Sequence, residues 1–329
     1  MRFSVLGAGG WGTAVARLLA NADHEVTLWS RDPERTAEIN RCRENRKYLP
    51  DVALPDSLQI SSDLDRSLEA DAAFVAVPSF AVEPLLQRLH RSSSTPDAVI
   101  NLSKGLDRAS QRTMSELAVD ILPETRAFAL SGPSHAEEVG RDVPTAVVLA
   151  GEDLDLGRAL QHAIATPRFR VYLSRDIRGV ELCAALKNVI AIASGVSDGL
   201  GYGDNSRGAL ITRGLSELAR FGRTLGICDA TFFGLAGLGD LVATCTSRHS
   251  RNRHVGARLG AGEDLKSILS SMNGVAEGIY ATGIVRQVAR EREIDMPITE
   301  AVGRLLDGEV APLQLVNEIM TRSPKREDG

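Results

Sequence analysis

Sulfur and aromatic rings are scarce in this chain: four cysteines, two tryptophans and 4% aromatic residues among 329 positions. Cys42, Cys183, Cys228 and Cys245 are scattered, with no C-x-x-C pair. That excludes a thioredoxin-type redox motif or a zinc ribbon and predicts reduced thiols, no disulfide and no bound metal. Excess charge of one sign is also missing. The 38 Lys and Arg against 43 Asp and Glu leave a net charge of −5, which gives no electrostatic ground for nucleic-acid binding. A local basic cluster therefore calls for a small anionic ligand. The chain enters a strand pattern by Phe3 without a signal-peptide pattern, and no apolar run is expected to reach membrane-spanning length. The expectation is a cytoplasmic protein with no membrane insertion. No internal repeat or low-complexity segment occurs.

What is present is the composition of a folded globular protein, with 43% hydrophobic and 25% charged residues. The length predicts two domains. Arg2 to Leu6 reads as a buried strand and leads into GAGGWG at residues 7–12, followed by the helical TAVARLLANA. Strand, glycine turn and helix are the context in which G-x-G-x-x-G binds a dinucleotide. Gly7 makes the bend, Gly9 lets the backbone approach a pyrophosphate and Gly12 permits close helix packing. The second strand, Glu25 to Trp29, ends at Arg31 and Asp32. An arginine there suits the 2′-phosphate of NADP, while an acid suits the ribose of NAD. Asp32-Pro33 also suits a helix start, so both cofactors stay open.

A polar loop is expected through Lys47, Tyr48 and Pro50. Strand patterns then recur at Ala72–Val77, Ala98–Leu102, Phe128–Ser131, Thr145–Ala150 and Arg170–Leu173, with helical stretches between most of them. The predicted fold is α/β: an N-terminal Rossmann-type doubly wound sheet over residues 1–176, then an all-helical domain over residues 177–329. Ligands in such sheets lie beyond the carboxyl ends of the strands. Ser103-Lys104-Gly105 falls there, readable as an oxyanion contact or a solvated turn. So does SGPSHAEEV from Ser131, in which Ser134 and Glu137 have capping-box spacing.

The helical half opens on LCAALKNVIAIASG, whose one charge is Lys187. If that helix is buried, desolvation lowers the lysine pKa and suits it to proton transfer; the alternative is a stem on apolar surface with its head in water. Two glycine-rich stretches, from Ser197 and from Phe232, are read as loops able to approach a ligand or another helix. The second contains Asp240 and then Arg248, His249, Arg251, Asn252, Arg253 and His254, a cluster suited to a phosphate dianion or readable as a solvated turn. Asn273 to Gly278 sets Glu277 ahead of a helix, and the tail from Ser323 is expected to fray.

Taken together, GAGGWGTA, NLSKGLD, SGPSHAEEV, LCAALKNVIAIASG, ALITRGLSEL, GLAGLGDL, TCTSRHSRNRHVG and VAEG resemble the bacterial NAD(P)-dependent sn-glycerol-3-phosphate dehydrogenase family nearly end to end. The resemblance implies reduction of dihydroxyacetone phosphate with NADP or NAD, in supply of glycerophospholipid synthesis, by a homodimer. It implies Lys187 as proton donor or acceptor, assisted by Lys104 and Asp240. Its substrate contacts fall on Lys104, Gly132, Ser134, Lys187, Asp240, Ser250, Arg251 and Asn252. Its cofactor contacts fall on Gly7, Gly9, Gly10, Trp11, Gly12, Arg31, Lys104, Ala136, Arg251, Val275 and Glu277. The chain departs from the family at Gly10, commonly serine, and His135, commonly aromatic. The alternatives are a related hydroxyacid dehydrogenase of this fold and a non-catalytic nicotinamide sensor.

Overall fold

The computed structural model describes residues 1–272, 274–322 and 326. Asn273 and, apart from Arg326, the tail from residue 323 lie outside them. The chain forms two compact units, one of residues 1–184 with 227–240, the other of residues 185–226 with 241–329.

The first unit is built on ten strands: β1 (Arg2–Leu6), β2 (Glu25–Trp29), β3 (Glu44–Asn45), β4 (Leu49–Ala53), β5 (Gln59–Ser61), β6 (Ala72–Val75), β7 (Ala98–Asn101), β8 (Arg126–Ser131), β9 (Thr145–Gly151) and β10 (Phe169–Ser174). Eight form one sheet in the order β10-β9-β8-β7-β6-β1-β2-β5. Pairing is parallel from β5 to β8, β9 runs antiparallel to β8, and β10 follows β9 in parallel. Alternate side chains of the central strands enter two different cores. Phe3, Val5, Phe74 and Ile100 pack in one cluster, and Leu6, Val75 and Val99 in another. Helices therefore cover both faces, as near-continuous apolar strands require. The strand order reverses beside β1, which places the ligand crevice at the glycine turn that follows it.

Residues 44–61 correct the expected polar loop. They hold the small antiparallel pair β3-β4 and the sheet's edge strand β5. Asn45 donates from Nδ2 to Ala8 O (3.0 Å) and Thr13 Oγ1 (2.8 Å), tying β3 to the glycine turn.

The helix Ile177–Gly199 is another correction, because it is long and apolar enough to cross a membrane by length and composition. Its most apolar window is 94% buried inside the protein, as befits a core helix. The division between the units falls within it. No strand follows Ser174 among the described residues. The stretches read as glycine-rich loops are largely helical, with helices at Asp204–Arg223, Asp240–Thr246 and Arg251–Gly260 and a π-turn at Leu235–Gly239.

In the second unit the helix Arg251–Gly260 crosses the segment 192–199 with backbones in contact. A Cβ on Gly195 would strike Arg253 O, and one on Gly256 would strike Ile192 O; Gly199 and Gly260 meet Ala257 O and Val196 O in the same way. Glycine serves here as space between helices.

Candidate active site

At the end of β1 the turn takes the form the motif demands. Gly7 has φ of 128°, and a Cβ there would lie 2.6 Å from Ala76 O; only glycine fits. Gly9 caps the helix Gly10–Asn21, and no atom lies within 4 Å of where its Cβ would be. That open face beside unsatisfied helix N–H groups suits a pyrophosphate. Gly12 packs against Gly7 O. In the first helical turn the Trp11 Nε1 donor is buried without a partner among the described residues, a cost a bound acceptor would remove. The residues present therefore fit a dinucleotide.

Gly10 departs from serine for a local reason: a Cβ would sit 2.7 Å from Tyr48 O and 3.6 Å from the Ala136 Cβ. The same contacts bring Tyr48 and Ala136 to the turn. Asp32 caps the helix Pro33–Cys42, accepting from Arg35 N at 3.2 Å and pairing with the Arg35 guanidinium at 3.3 Å. That guanidinium lies 4.8 Å from the Tyr48 ring centroid, and Lys47 Nζ lies 5.4 Å from it. Arg31 is exposed at the tip of β2.

Beyond the strand ends of the same unit an ion pair is built. Lys104 Nζ donates to Asp240 Oδ2 at 2.8 Å and to Gly132 O at 3.1 Å. Asp240 is 2% exposed, and the Lys104 side chain 21%. A buried carboxylate needs such a partner. The turn holding Lys104 is fixed by Asn101, which accepts from Ser103 N (2.9 Å) and donates to Ser103 O (3.0 Å) and Glu181 (2.7 Å). Glu181 is wholly enclosed; burial raises its carboxyl pKa despite donors from Ser115, Thr113 and Asn101. Asp240 arrives through the π-turn, whose Gly237 leaves no room for a Cβ against Phe232 O and whose Gly239 faces Pro133.

Ser134 is not the expected helix cap. The helix runs Ala136–Val139 with His135 at its N-cap, and the Ser134 hydroxyl turns back to donate to Gly132 O at 3.0 Å. Gly132 O thus receives both Ser134 and Lys104.

In the second unit Lys187 is 3% exposed, and its Nζ donates to Thr244 Oγ1 at 2.6 Å. The snorkelling alternative is thereby removed. Asn188 Oδ1 accepts from Asn252 Nδ2 at 2.9 Å, and Asn252 Oδ1 accepts from Gly278 N at 3.0 Å, next to Glu277. Ser250 caps the helix Arg251–Gly260, accepting from Arg253 N at 3.2 Å. The Arg251 guanidinium lies over Gly274, with Nη1 2.8 Å from where a Cβ would be, beside Val275. Arg253 leaves the expected phosphate cluster: its Nε donates to Asp198 Oδ2 at 2.6 Å.

Thr244, Asn188 and Tyr48 escaped sequence reasoning. Asn188 had a signal, being the polar neighbour of Lys187 in an apolar helix. Thr244 had another, one turn after Asp240. Burial raises the thiol pKa of Cys183, and that of Cys245 to about 12, so neither is a ready nucleophile.

A glycine turn at the switch point of a doubly wound sheet, with the Lys104–Asp240 pair beyond the strand ends of that unit and a buried lysine in the helical unit, defines the class of Rossmann-type nicotinamide oxidoreductases. Residues 2–156 match the model of the NAD-dependent glycerol-3-phosphate dehydrogenase N-terminus, and residues 176–317 that of its C-terminus. The chain belongs to this family. It is 43% identical to the glycerol-3-phosphate dehydrogenase [NAD(P)+] of Chlorobium phaeobacteroides strain BS1, covering 100% of both chains. To glycerol-3-phosphate dehydrogenase [NAD(P)+] 1 of Salinibacter ruber it is 44% identical, over 99% of this chain and 96% of that one. The crystal structure of glycerol-3-phosphate dehydrogenase from Coxiella burnetii superposes with a TM-score of 0.93 at 40% identity, covering 98% and 99% of the two chains.

Proposed function

We propose that the protein reduces dihydroxyacetone phosphate to sn-glycerol 3-phosphate, reversibly, and supplies glycerophospholipid synthesis. The observation that carries the reading is Lys187, an amine withdrawn from water and oriented by Thr244. When bound, the nicotinamide supplies the hydride to the ketone carbon. Lys187 gives its proton to the ketone oxygen as that oxygen becomes an alkoxide, and in the reverse direction takes the hydroxyl proton. Lys104, neutralised by Asp240 and bonded to Gly132 O, anchors the substrate together with Ser134. The Arg251 fork and Asn252, at the helix N-terminus capped by Ser250, take the phosphate. Gly7, Gly9, Gly10, Trp11, Gly12 and Ala136 hold the dinucleotide, with Val275 and Glu277 as further contacts.

NADPH is the preferred cofactor. Asp32 is spent as a helix cap and on Arg35, which withdraws the acid that would select a free ribose. Arg31 is exposed at the same strand tip and Arg35 lies against Tyr48, so a 2′-phosphate meets cations there. The sheet domain of residues 1–176 carries most of the cofactor contacts and the helical domain of residues 177–329 the proton-transfer lysine and the phosphate clamp, in a cytoplasmic homodimer.

The test is Lys187→Ala. It is expected to lower kcat about 10² to 10⁴-fold with cofactor affinity unchanged, the size of lost acid–base catalysis. Activity above roughly a tenth of wild type would remove Lys187 from proton transfer.

A further inference from the structure

The reading of Arg251 and Asn252 as the phosphate clamp leaves open what sets the helix Arg251–Gly260 at its rotation. Its crossing with the segment 192–199 is made by four glycines. Such a crossing brings backbones together but has few side-chain ridges to resist sliding or rolling. A polar lock lies beside it. The two oxygens of Asp198 are divided between two arginines, with Arg253 Nε on Oδ2 at 2.6 Å and Arg207 Nη2 on Oδ1 at 2.7 Å. The Asp198 side chain is only 12% exposed, and those of Arg253 and Arg207 are 24% and 25% exposed. Pairs shielded to this degree hold geometry better than surface pairs. Arg251, Asn252 and Arg253 are consecutive in the first turn of one helix, so each points about 100° from the last. Fixing Arg253 therefore fixes the directions in which Arg251 and Asn252 leave the helix.

We propose that Asp198 is a positioning residue for the substrate phosphate: by gripping Arg253 against Arg207 it sets the rotation of the helix that carries Arg251 and Asn252. The inference rests on the phosphate reading above. It also explains why Arg253, although part of the basic cluster, is not a ligand of the phosphate itself.

The test is Asp198→Asn in the full-length enzyme. An amide presents a donor where one guanidinium needs an acceptor, so one arm of the lock opens. The KM for dihydroxyacetone phosphate and the inhibition constant of inorganic phosphate are expected to rise together, about tenfold, with kcat within about threefold and NADPH affinity unchanged. Arg253→Lys keeps the charge and loses the fork. It is expected to shift the same two constants in the same direction by a smaller factor, and it serves if D198N does not fold. Unchanged constants in the variants, or a kcat that falls in step with kcat/KM, would overturn the proposal. Arg251→Ala separates the two layers. If it raises both constants while D198N and R253K do not, only the positioning role fails. If R251A leaves both unchanged, the phosphate reading fails and takes the positioning role with it.

Discussion

Asp32 and Arg31 show how one hydrogen bond reorders a prediction. From sequence the acid and the base at the tip of β2 compete for the ribose end of the cofactor. In the fold Asp32 accepts from Arg35 N and pairs with the Arg35 guanidinium, while Arg31 is exposed at the strand tip, and the proposed reading gives the 2′-phosphate to Arg31. Arg31→Ala should lower kcat/KM with NADPH about tenfold or more while changing the NADH value little, as loss of a charge-assisted phosphate contact requires. Parallel initial-rate series with the two nicotinamides check this; equal losses would place Arg31 outside 2′-phosphate recognition. Single residues were legible where chemistry made them conspicuous. Lys187 stood out as a lone charge in an apolar run, and Asp240 as a carboxylate after Gly-Leu-Gly. Gly10 was legible only as an oddity, because the Tyr48 carbonyl that excludes a side chain there comes from a stretch 38 positions away in sequence. The Asp198–Arg253 pair, 55 positions apart, left no local signal at all.

At the scale of elements, strands with continuous apolar runs and the glycine turn could be read directly, since burial on both faces demands that pattern. The short strands β3, β4 and β5 could not. They span two to five residues and carry Glu44, Pro50 and Asp51, so periodicity has nothing to act on. The Ser134–Glu137 spacing failed differently: it matched a capping box, but the helix begins at Ala136 and the hydroxyl found Gly132 O instead. A helix start that sequence did not reveal is capped from another helix. Glu217, in Asp204–Arg223, accepts from Ile298 N (2.6 Å) and Thr299 N (3.1 Å) at the beginning of Pro297–Leu306. Burial outweighs these donors and pushes its pKa up from 4.5 to about 7. Between those values the folded state keeps a proton that the unfolded state has released. The contribution of this group is therefore full below about 4.5 and is lost as pH rises through about 7, on the order of 3 kcal/mol in all. Urea unfolding of wild type and Glu217→Gln from about pH 5 to about pH 7.5 should show wild-type stability falling relative to E217Q. A constant difference would mean that Glu217 does not titrate in this range.

The whole molecule joins a dinucleotide-binding sheet unit and a helical unit in one chain, and this much followed from where strand patterns cease, near Asp176. Sequence did not show that residues 227–240 belong with the sheet unit. That return places Asp240 against Lys104, a pairing between positions 136 apart. Family membership sets aside the hydroxyacid and sensor readings, and the central claim that remains is chemical: this chain catalyses hydride transfer from a reduced nicotinamide to dihydroxyacetone phosphate. The most direct test is nicotinamide oxidation by the purified full-length protein on addition of dihydroxyacetone phosphate, with NADPH and NADH run side by side. The expected result is oxidation with both, faster at limiting NADPH than at equal NADH, with sn-glycerol 3-phosphate as the product. Demonstrated cofactor binding with no oxidation of either nicotinamide would contradict the account.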